Sequence, residues 1–235
     1  MSSEGRRVAV VTGASSGIGK AAAELFKSQG LTTIGVSRRS PDTDVTFHCD
    51  VQDERSVARV FKRVLDRFGR IDILVNCAGV VAKHDPLTLG AAEWDAILRP
   101  NLLGTYWCCK HALKAMRRQR YGKIVNVSSV AGRSYSRTAS VAYTSSKYAV
   151  IGLTRQLAVH VGRYGVTINC VCPSETKSEM LLRNVPSKRL RALAAAHPLG
   201  RLAEPVEVAH AIAFLVSEAS SYVNGAVVDV NGGLL

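Results

Sequence analysis

Tyr143 and Lys147 lie four residues apart near the start of a predicted helix, so their side chains share one face. A phenol is a weak proton donor at neutral pH, and a neighbouring ammonium group favours its phenolate form. The pair therefore indicates general acid–base chemistry. Ser129 follows a predicted strand, where its hydroxyl could hold a substrate oxygen, and Asn101 lies within a long predicted helix. Taken alone, Tyr-x3-Lys is equally well explained as a pair of helix surface residues.

A glycine-rich turn follows the first apolar strand and opens the first predicted helix. Glycines let the backbone approach a pyrophosphate, and a helix N-terminus offers free N–H groups with a partial positive charge. The turn therefore predicts dinucleotide binding, and an ordinary tight turn is the alternative. The residues expected to contact the dinucleotide are Gly13, Ser15, Ser16, Gly17, Ile18 and Gly19.

The end of the second strand reads Ser37-Arg38-Arg39 and carries no carboxylate. An acidic residue there would hydrogen-bond the ribose hydroxyls of NAD, whereas a guanidinium can clasp a 2′-phosphate in a bidentate manner. The sequence therefore predicts NADP(H) as the cofactor. The alternative is that both arginines are simple surface charges.

Further cofactor contacts are expected at the carboxyl ends of the third and fourth strands, where ligands of parallel sheets bind. Asp50 and Val51 suit an adenine ring, because the carboxylate can accept from its amino group and the aliphatic side chain can cover its face. Asn76, Ala78 and Gly79 end the fourth strand and let the chain pass close to the adenosine ribose.

The elements that must position these residues alternate between strand and helix along the whole chain. This alternation predicts an α/β fold, a doubly wound parallel sheet of about seven strands with helices on both faces. We expect a single domain over 1–235, with a substrate lid at 174–199. Strands are predicted near 7–11, 32–36, 45–49, 71–75, 123–127, 166–171 and 225–230, and helices near 17–29, 53–68, 91–118, 143–161, 187–196 and 205–217.

The composition excludes several classes of protein. With 47% apolar residues, the 235-residue chain can build a core without disulfides or metals, and intrinsic disorder is excluded. No apolar run approaches the roughly 20 residues of a membrane-spanning helix. Residues 1–7 show no signal-peptide core, so we expect a cytoplasmic protein. The six cysteines lie mostly in apolar runs and form no Cys-x2-Cys pair, which predicts reduced thiols and no metal site.

The net charge of +13 calls for an anionic partner or a solvated basic surface. A nucleic-acid-binding or cofactor-sensing protein without catalysis is the alternative from another functional class. The chain has no nucleic-acid motif and only 6% aromatic residues, which argues against nucleic acid. We expect neither a nucleic acid nor a membrane as partner.

The order of these motifs resembles the short-chain dehydrogenase/reductase family over the whole chain. The motifs are Thr12-Gly13-x3-Gly17-x-Gly19, Asn76-x-Ala78-Gly79, Asn101, Ser129, Tyr143-x3-Lys147 and Pro173. The chain departs from the family pattern at Pro100, where an aliphatic residue is usual, at Ser174, where glycine is usual, and at Asn231, where aspartate is usual. Proline lacks the N–H of a helical residue, so Pro100 is expected to reinforce a kink beside Asn101.

The resemblance implies an Asn–Ser–Tyr–Lys tetrad that reduces a carbonyl group. Tyr143 would be the general acid, Ser129 rather than Ser128 would polarise the carbonyl, and Lys147 would bind the nicotinamide ribose. Asn101 would hold a water of a proton relay. Pro173, Thr176 and Ser178 would lie at the nicotinamide, and Ser129, Arg133, Tyr135 and Tyr143 would contact the substrate.

Within the family, the chain is similar to 3-oxoacyl-[acyl-carrier-protein] reductases of fatty acid biosynthesis, on the segments His197-Pro198-Leu199-Gly200-Arg201 and Glu204-Pro205-x-Glu207-Val208-Ala209. This similarity implies a 3-oxoacyl thioester substrate and an acidic acyl carrier protein that docks on basic residues near the site entrance. Arg120 falls at one docking position, and Tyr164, next to Arg163, falls at the other. A small ketone, secondary alcohol, sugar or secondary metabolite is the alternative substrate. The family resemblance also implies a homotetramer or homodimer packed through the helices near 91–118 and 143–163.

Overall fold

The computed structural model describes residues 6–39, 43–83, 85–136 and 138–235, with only the backbone of Met180 and Asn184. The first five residues, on which the expectation about a signal peptide partly rests, lie outside these ranges. Among the described residues, no helix combines the length and the apolar character needed to cross a membrane.

Seven parallel strands form one sheet in the order β3-β2-β1-β4-β5-β6-β7, which confirms the predicted fold class. The inner strands β1, β2, β4, β5 and β6 are almost fully buried because helices cover both faces, which explains their mainly apolar sequences, whereas the edge strands β3 and β7 are partly exposed. Their bounds are β1 Val8–Thr12, β2 Thr32–Ser37, β3 Val45–His48, β4 Ile73–Asn76, β5 Gly122–Val127, β6 Val166–Pro173 and β7 Val227–Val230.

The helices divide between the two faces of the sheet and enclose two apolar layers. One layer contains Phe47, Phe61 and Met116, and the other contains Phe26, Ile73 and Leu215. The helices are α1 Gly17–Ser28, α2 Glu54–Phe68, α3 Ala91–Leu98, α4 Gly104–Gln119, α5 Val141–Val161, α6 Glu179–Asn184, α7 Ser187–Ala196 and α8 Pro205–Val216.

The prediction of one long helix at 91–118 is wrong. The structure has two helices, α3 and α4, separated by a π-helical turn at Arg99–Leu103. The Gly104 N–H bonds the carbonyl of Arg99, five residues back. Pro100 lies inside this turn and has no N–H to donate. Proline is therefore tolerated here, because the regular i to i−4 hydrogen bonding of the α-helix is already interrupted. The predicted kink beside Asn101 is therefore present and takes the form of a wide turn.

Candidate active site

A cleft of about 480 Å³ opens along the carboxyl edge of the sheet, where the loops after β1, β2, β3, β4, β5 and β6 converge. Parallel sheets of this kind bind ligands at that edge. The cleft is lined by nearly all of the predicted cofactor residues, namely Gly13, Ser15, Ser16, Gly17, Ile18, Gly19, Ser37, Arg38, Arg39, Asp50, Val51, Ala78, Gly79, Tyr143, Lys147, Pro173, Thr176 and Ser178.

The glycine turn is shaped to receive a phosphate group. A Cβ built on Gly19 would lie 2.4 Å from the carbonyl oxygen of Gly13, so only glycine permits this close return of the chain. The side chain of Ser16 makes no capping bond, and the first turn of α1 carries no acidic residue. The turn therefore leaves uncapped N–H groups and a positive helix end facing the cleft, as an anionic cofactor requires.

Two contacts join this turn to its neighbours. The Thr12 hydroxyl accepts hydrogen bonds from the N–H groups of Cys77 (3.2 Å) and Ala78 (3.1 Å), and Gly13 donates to the Val36 carbonyl (2.9 Å). The glycine turn is thereby fixed relative to the loop after β4 and to the end of β2.

Arg38 and Arg39 are exposed at the rim of the cleft, directly after β2. Neither guanidinium forms an ion pair with another described residue. Asp50 follows the neighbouring strand β3 and accepts from the backbone N–H of Gln52 at 3.1 Å. The rim therefore presents two cations that have no ion-pair partner among the described residues, which fits a phosphorylated ribose.

Tyr143 and Lys147 lie on the first two turns of α5 and both line the cleft. The Ser140 hydroxyl caps this helix by accepting from the Tyr143 N–H at 3.3 Å. Lys147 is buried; its Nζ donates to the Val127 carbonyl at 3.0 Å and lies 5.6 Å from the centre of the Tyr143 ring. The predicted acid–base pair is thus assembled in the same cavity as the cofactor loops.

The two serines after β5 have different surroundings. Ser128 is buried, and its hydroxyl donates to the Lys147 carbonyl at 2.8 Å. The Ser129 hydroxyl is half-buried and accepts from the Ala131 N–H at 3.1 Å, which leaves its proton free for a ligand oxygen. This geometry supports Ser129 as the residue that would polarise a carbonyl.

Asn101 lies in the π-helical turn and is fully enclosed. Its amide donates to the Val80 carbonyl (3.0 Å) and to Ser146 (3.1 Å), and its oxygen accepts from the Val80 N–H (2.8 Å). The side chain therefore ties the loop after β4 to α5. The Asn101 backbone carbonyl accepts from the Thr105 hydroxyl at 2.8 Å, and the role of Asn101 in a water relay stays a prediction.

Three predicted contacts differ from the structure. Asn76 lies beneath the cleft, where its amide donates to Asn126 at 2.8 Å and to Cys109 at 3.3 Å. Arg133 points to Asp229, its Nη2 3.0 Å from Oδ2, and does not line the cleft. Tyr135 is 64% exposed and lies outside the lining as well.

The cleft also contains residues that sequence reasoning did not identify. Leu181, Val185 and Leu193 come from α6, α7 and the link between them, so these parts of the predicted lid line the cavity. Glu175 and Lys83 contribute one charge of each sign, and neither belongs to a recognisable motif.

Two cysteines, Cys49 and Cys77, line the cleft, and all six cysteines of the chain are free thiols. Burial raises the pKa of the Cys77 thiol to about 12, although the nearby Lys147 ammonium opposes this shift. Burial also raises the pKa of Cys49. Both thiols are therefore protonated at neutral pH and act as small apolar groups.

The basic residues predicted to dock a carrier protein lie at the other edge of the sheet. Arg120 ends α4 just before β5, and Tyr164 precedes β6. The guanidinium of Arg117 covers the Tyr164 ring at 4.5 Å, with Arg163 at 5.0 Å. The length of the six-residue β5 separates this cluster by roughly 20 Å from Ser129.

Comparison with known proteins gives matches along nearly the whole chain. The family model described as Enoyl-(Acyl carrier protein) reductase matches residues 13–235. Cis-4-hydroxycyclohexanecarboxylate dehydrogenase of Sinomonas cyclohexanicum is 40% identical over 240 residues, covering 97% of this chain and 96% of that protein. The 3-oxoacyl-[acyl-carrier-protein] reductase FabG of Vibrio cholerae is 36% identical and covers 100% and 99%.

Among solved structures, ElxO with NADP bound has a TM-score of 0.91 at 32% identity, covering 97% of this chain and 98% of that one. The chain therefore belongs to the short-chain dehydrogenase/reductase family of NAD(P)(H)-dependent oxidoreductases.

Proposed function

We propose that the protein is an NADP(H)-dependent carbonyl reductase whose substrate is a 3-oxoacyl thioester. The observation that carries the reaction type is the meeting of Ser129, Tyr143 and Lys147 in one cleft with the glycine turn. The exposed Arg38 and Arg39 at the rim, with no carboxylate in the segment Ser37-Arg38-Arg39, support NADP(H) over NAD(H). The relative from Vibrio cholerae supports the thioester substrate.

The reduced nicotinamide, when bound, supplies the hydride that reduces the carbonyl carbon. Ser129 donates its free proton in a hydrogen bond to the carbonyl oxygen and holds it near Tyr143. The Tyr143 hydroxyl then gives its proton to this oxygen as negative charge develops there. Lys147 stabilises the resulting phenolate electrostatically, while its bond to the Val127 carbonyl fixes its position.

The decisive experiment is NADPH oxidation with acetoacetyl thioesters, small cyclic ketones, diketones and sugars, with Tyr143→Phe as the matched control. We expect the highest kcat/KM with the thioester and a loss of about a thousandfold in the variant. Unchanged activity in Tyr143→Phe would overturn the mechanism. Cofactor binding without turnover of any compound would favour a cofactor sensor.

The second candidate substrate is a small cyclic ketone or the corresponding secondary alcohol. The 40% identity to the Sinomonas dehydrogenase favours it. So does the position of the basic cluster, which lies at the sheet edge opposite the cleft of the same chain. If the cyclic ketone exceeds the thioester in kcat/KM, this candidate replaces the first.

We also propose a homodimer or homotetramer that packs through α5, whose Val141, Tyr148 and Val159 are exposed. If α5 packs antiparallel on its copy, the amino edge of one sheet lies beside the carboxyl edge of the other. The Arg117, Arg120 and Arg163 cluster of one chain would then flank its partner's cleft and could receive an acidic acyl carrier protein. Light scattering tests the assembly, and a salt-sensitive KM for the carrier-bound substrate tests the docking.

A further inference from the structure

His197 ends α7, and its ring is almost completely enclosed, with 2% of the side chain exposed. Ring atom Nδ1 lies 2.8 Å from the Leu193 carbonyl oxygen. Because a carbonyl oxygen can only accept, Nδ1 must carry the proton of this hydrogen bond. A neutral His197 ring therefore has an unprotonated Nε2.

This Nε2 faces the carboxyl group of Glu175, with 3.5 Å between Nε2 and Oε2. Both atoms are buried, and neither has a hydrogen-bond partner within the part of the chain that the structure describes. A neutral ring and a carboxylate would place two acceptors against each other, which is unfavourable away from water. A single added proton removes the conflict, because either group can then donate to the other.

The two residues lie near the two ends of the predicted lid, 174–199. Glu175 follows β6 between Ser174 and Thr176 and lines the cavity. His197 directly follows α7, and Leu193, whose carbonyl orients the ring, lines the same cavity. Their contact therefore fixes α7 to the segment after β6, at which the nicotinamide is expected.

The other charged groups around this contact are already neutralised or lie in solvent. Lys177 pairs with Glu204, and Arg201 pairs with Glu207 at 2.6 Å. The α7 cations Lys188, Arg189 and Arg191 are exposed. On the cleft side, Tyr143 and Lys147 line the same cavity as Glu175, and Lys147 donates to the Val127 carbonyl. His197 Nε2 is the described polar atom for which a short distance to Glu175 Oε2 is seen, although the buried Nδ2 of Asn231 also has no hydrogen-bond partner among the described residues.

We propose that His197 and Glu175 form a proton-dependent latch that holds the lid over the cleft. The latch closes when the pair binds one proton between Nε2 and Oε2, and it opens when that proton leaves. Since closure takes up a proton, a fall in pH favours the closed lid and a rise in pH favours the open one. His197 and Glu175 act as positioning residues, because they fix the lid and take no part in the reduction.

The test uses the cofactor-free protein and is therefore independent of the proposed function. Deuterium uptake across 187–197, corrected for the intrinsic exchange rate, is measured from about pH 5.5 to about pH 8.5, a range chosen to span histidine titration. We expect uptake to be about tenfold faster at the upper end, the effect of losing one charge-assisted hydrogen bond. The 15N chemical shifts of the His197 ring should change over the same range, with His197→Asn used to assign them.

Three variants separate the latch from a merely structural contact. In Glu175→Gln, the amide donates to Nε2 without an added proton, so uptake should stay slow and independent of pH. In His197→Leu, uptake should be fast at every pH, because no donor remains for Glu175. The matched control Glu179→Gln removes a carboxylate of α6 that pairs with Arg183 in solvent, and it should keep the wild-type pH profile.

The proposal is overturned if the wild-type profile is flat, or if Glu175→Gln keeps the wild-type dependence on pH. It is equally overturned if the His197 ring remains the neutral Nδ1–H tautomer over the whole range while uptake changes. A loss of oxidoreductase activity alone has no bearing on the latch, since every readout is made without cofactor or substrate.

Discussion

Arg133 and Asp229 form a two-pronged ion pair, with Nε 3.0 Å from Oδ1 and Nη2 3.0 Å from Oδ2. Asp229 lies on β7, and Arg133 directly follows the short 3₁₀ turn Val130–Gly132 that begins after Ser129. The pair therefore anchors the loop of the proposed catalytic serine to the last strand. The ion pair gives Arg133 a loop-anchoring role, and its contact with the substrate stays a prediction.

Removing either partner should have the same effect on turnover. We predict that Arg133→Gln and Asp229→Asn each lower kcat about two- to fivefold with little change in KM, as befits a partly exposed pair. The double variant should be no worse than either single one, because the interaction is lost only once. A rise in KM confined to Arg133→Gln would instead restore Arg133 as a substrate contact.

Substitution of the two neighbouring serines should have different effects, on turnover for Ser129 and on the stability of the fold for Ser128. Ser129→Ala is expected to lower kcat about a hundredfold by removing the donor to the carbonyl oxygen. Ser128→Ala leaves the Lys147 carbonyl without its hydroxyl partner and should lower the free energy of unfolding by about 1 kcal/mol. Steady-state kinetics and urea unfolding of both variants provide the measurement. Normal turnover in Ser129→Ala would contradict the assignment.

The arginines after β2 should determine the choice of cofactor. We predict that Arg38→Gln with Arg39→Gln raises the KM for NADPH about ten- to a hundredfold and leaves that for NADH nearly unchanged, because only NADPH carries the 2′-phosphate. Lys20→Gln is the matched control, since this cation pairs with Glu24 on the surface of α1 at 3.7 Å. An equal change for both cofactors would argue against a phosphate clasp.

Acid should weaken the fold through Glu207. Its carboxylate accepts from Arg201 and from the Glu204 N–H (2.8 Å), and these bonds lower its pKa from 4.5 to about 2. Since the folded pKa is the lower one, the stabilisation is present above about pH 4.5 and is lost as the pH falls towards 2. Urea unfolding along this range should therefore show a steeper acid loss for the wild type than for Glu207→Gln. Identical slopes would exclude this contribution.

The sheet could be predicted because each buried strand is a continuous apolar run, and the glycine turn marks where the first one ends. The break at Arg99–Leu103 was only partly visible: Pro100 indicates a kink, but the i to i+5 bond depends on tertiary packing around Asn101. The placement of Asn76 under the cleft follows from its pairing with Asn126 on the adjacent strand, and strand order decides such a pairing.

Long-range pairs were the least predictable part of the site. Arg133 and Asp229 are 96 residues apart, and nothing in the local pattern of either residue indicates the other. Glu175 and His197 meet only because the lid returns to the end of β6. Spacing rules describe residues within one helix or strand, so they found Tyr143 with Lys147 and missed these contacts.

The protonated thiols of Cys49 and Cys77 have a consequence for how the protein withstands oxidants. Peroxides and disulfides react with thiolates, and a thiol with a pKa of about 12 is almost never a thiolate at neutral pH. The two thiols in the cleft wall therefore have low reactivity toward oxidants, although they lie beside the expected position of the cofactor. We therefore expect peroxides and disulfides to modify Cys49 and Cys77 slowly at neutral pH.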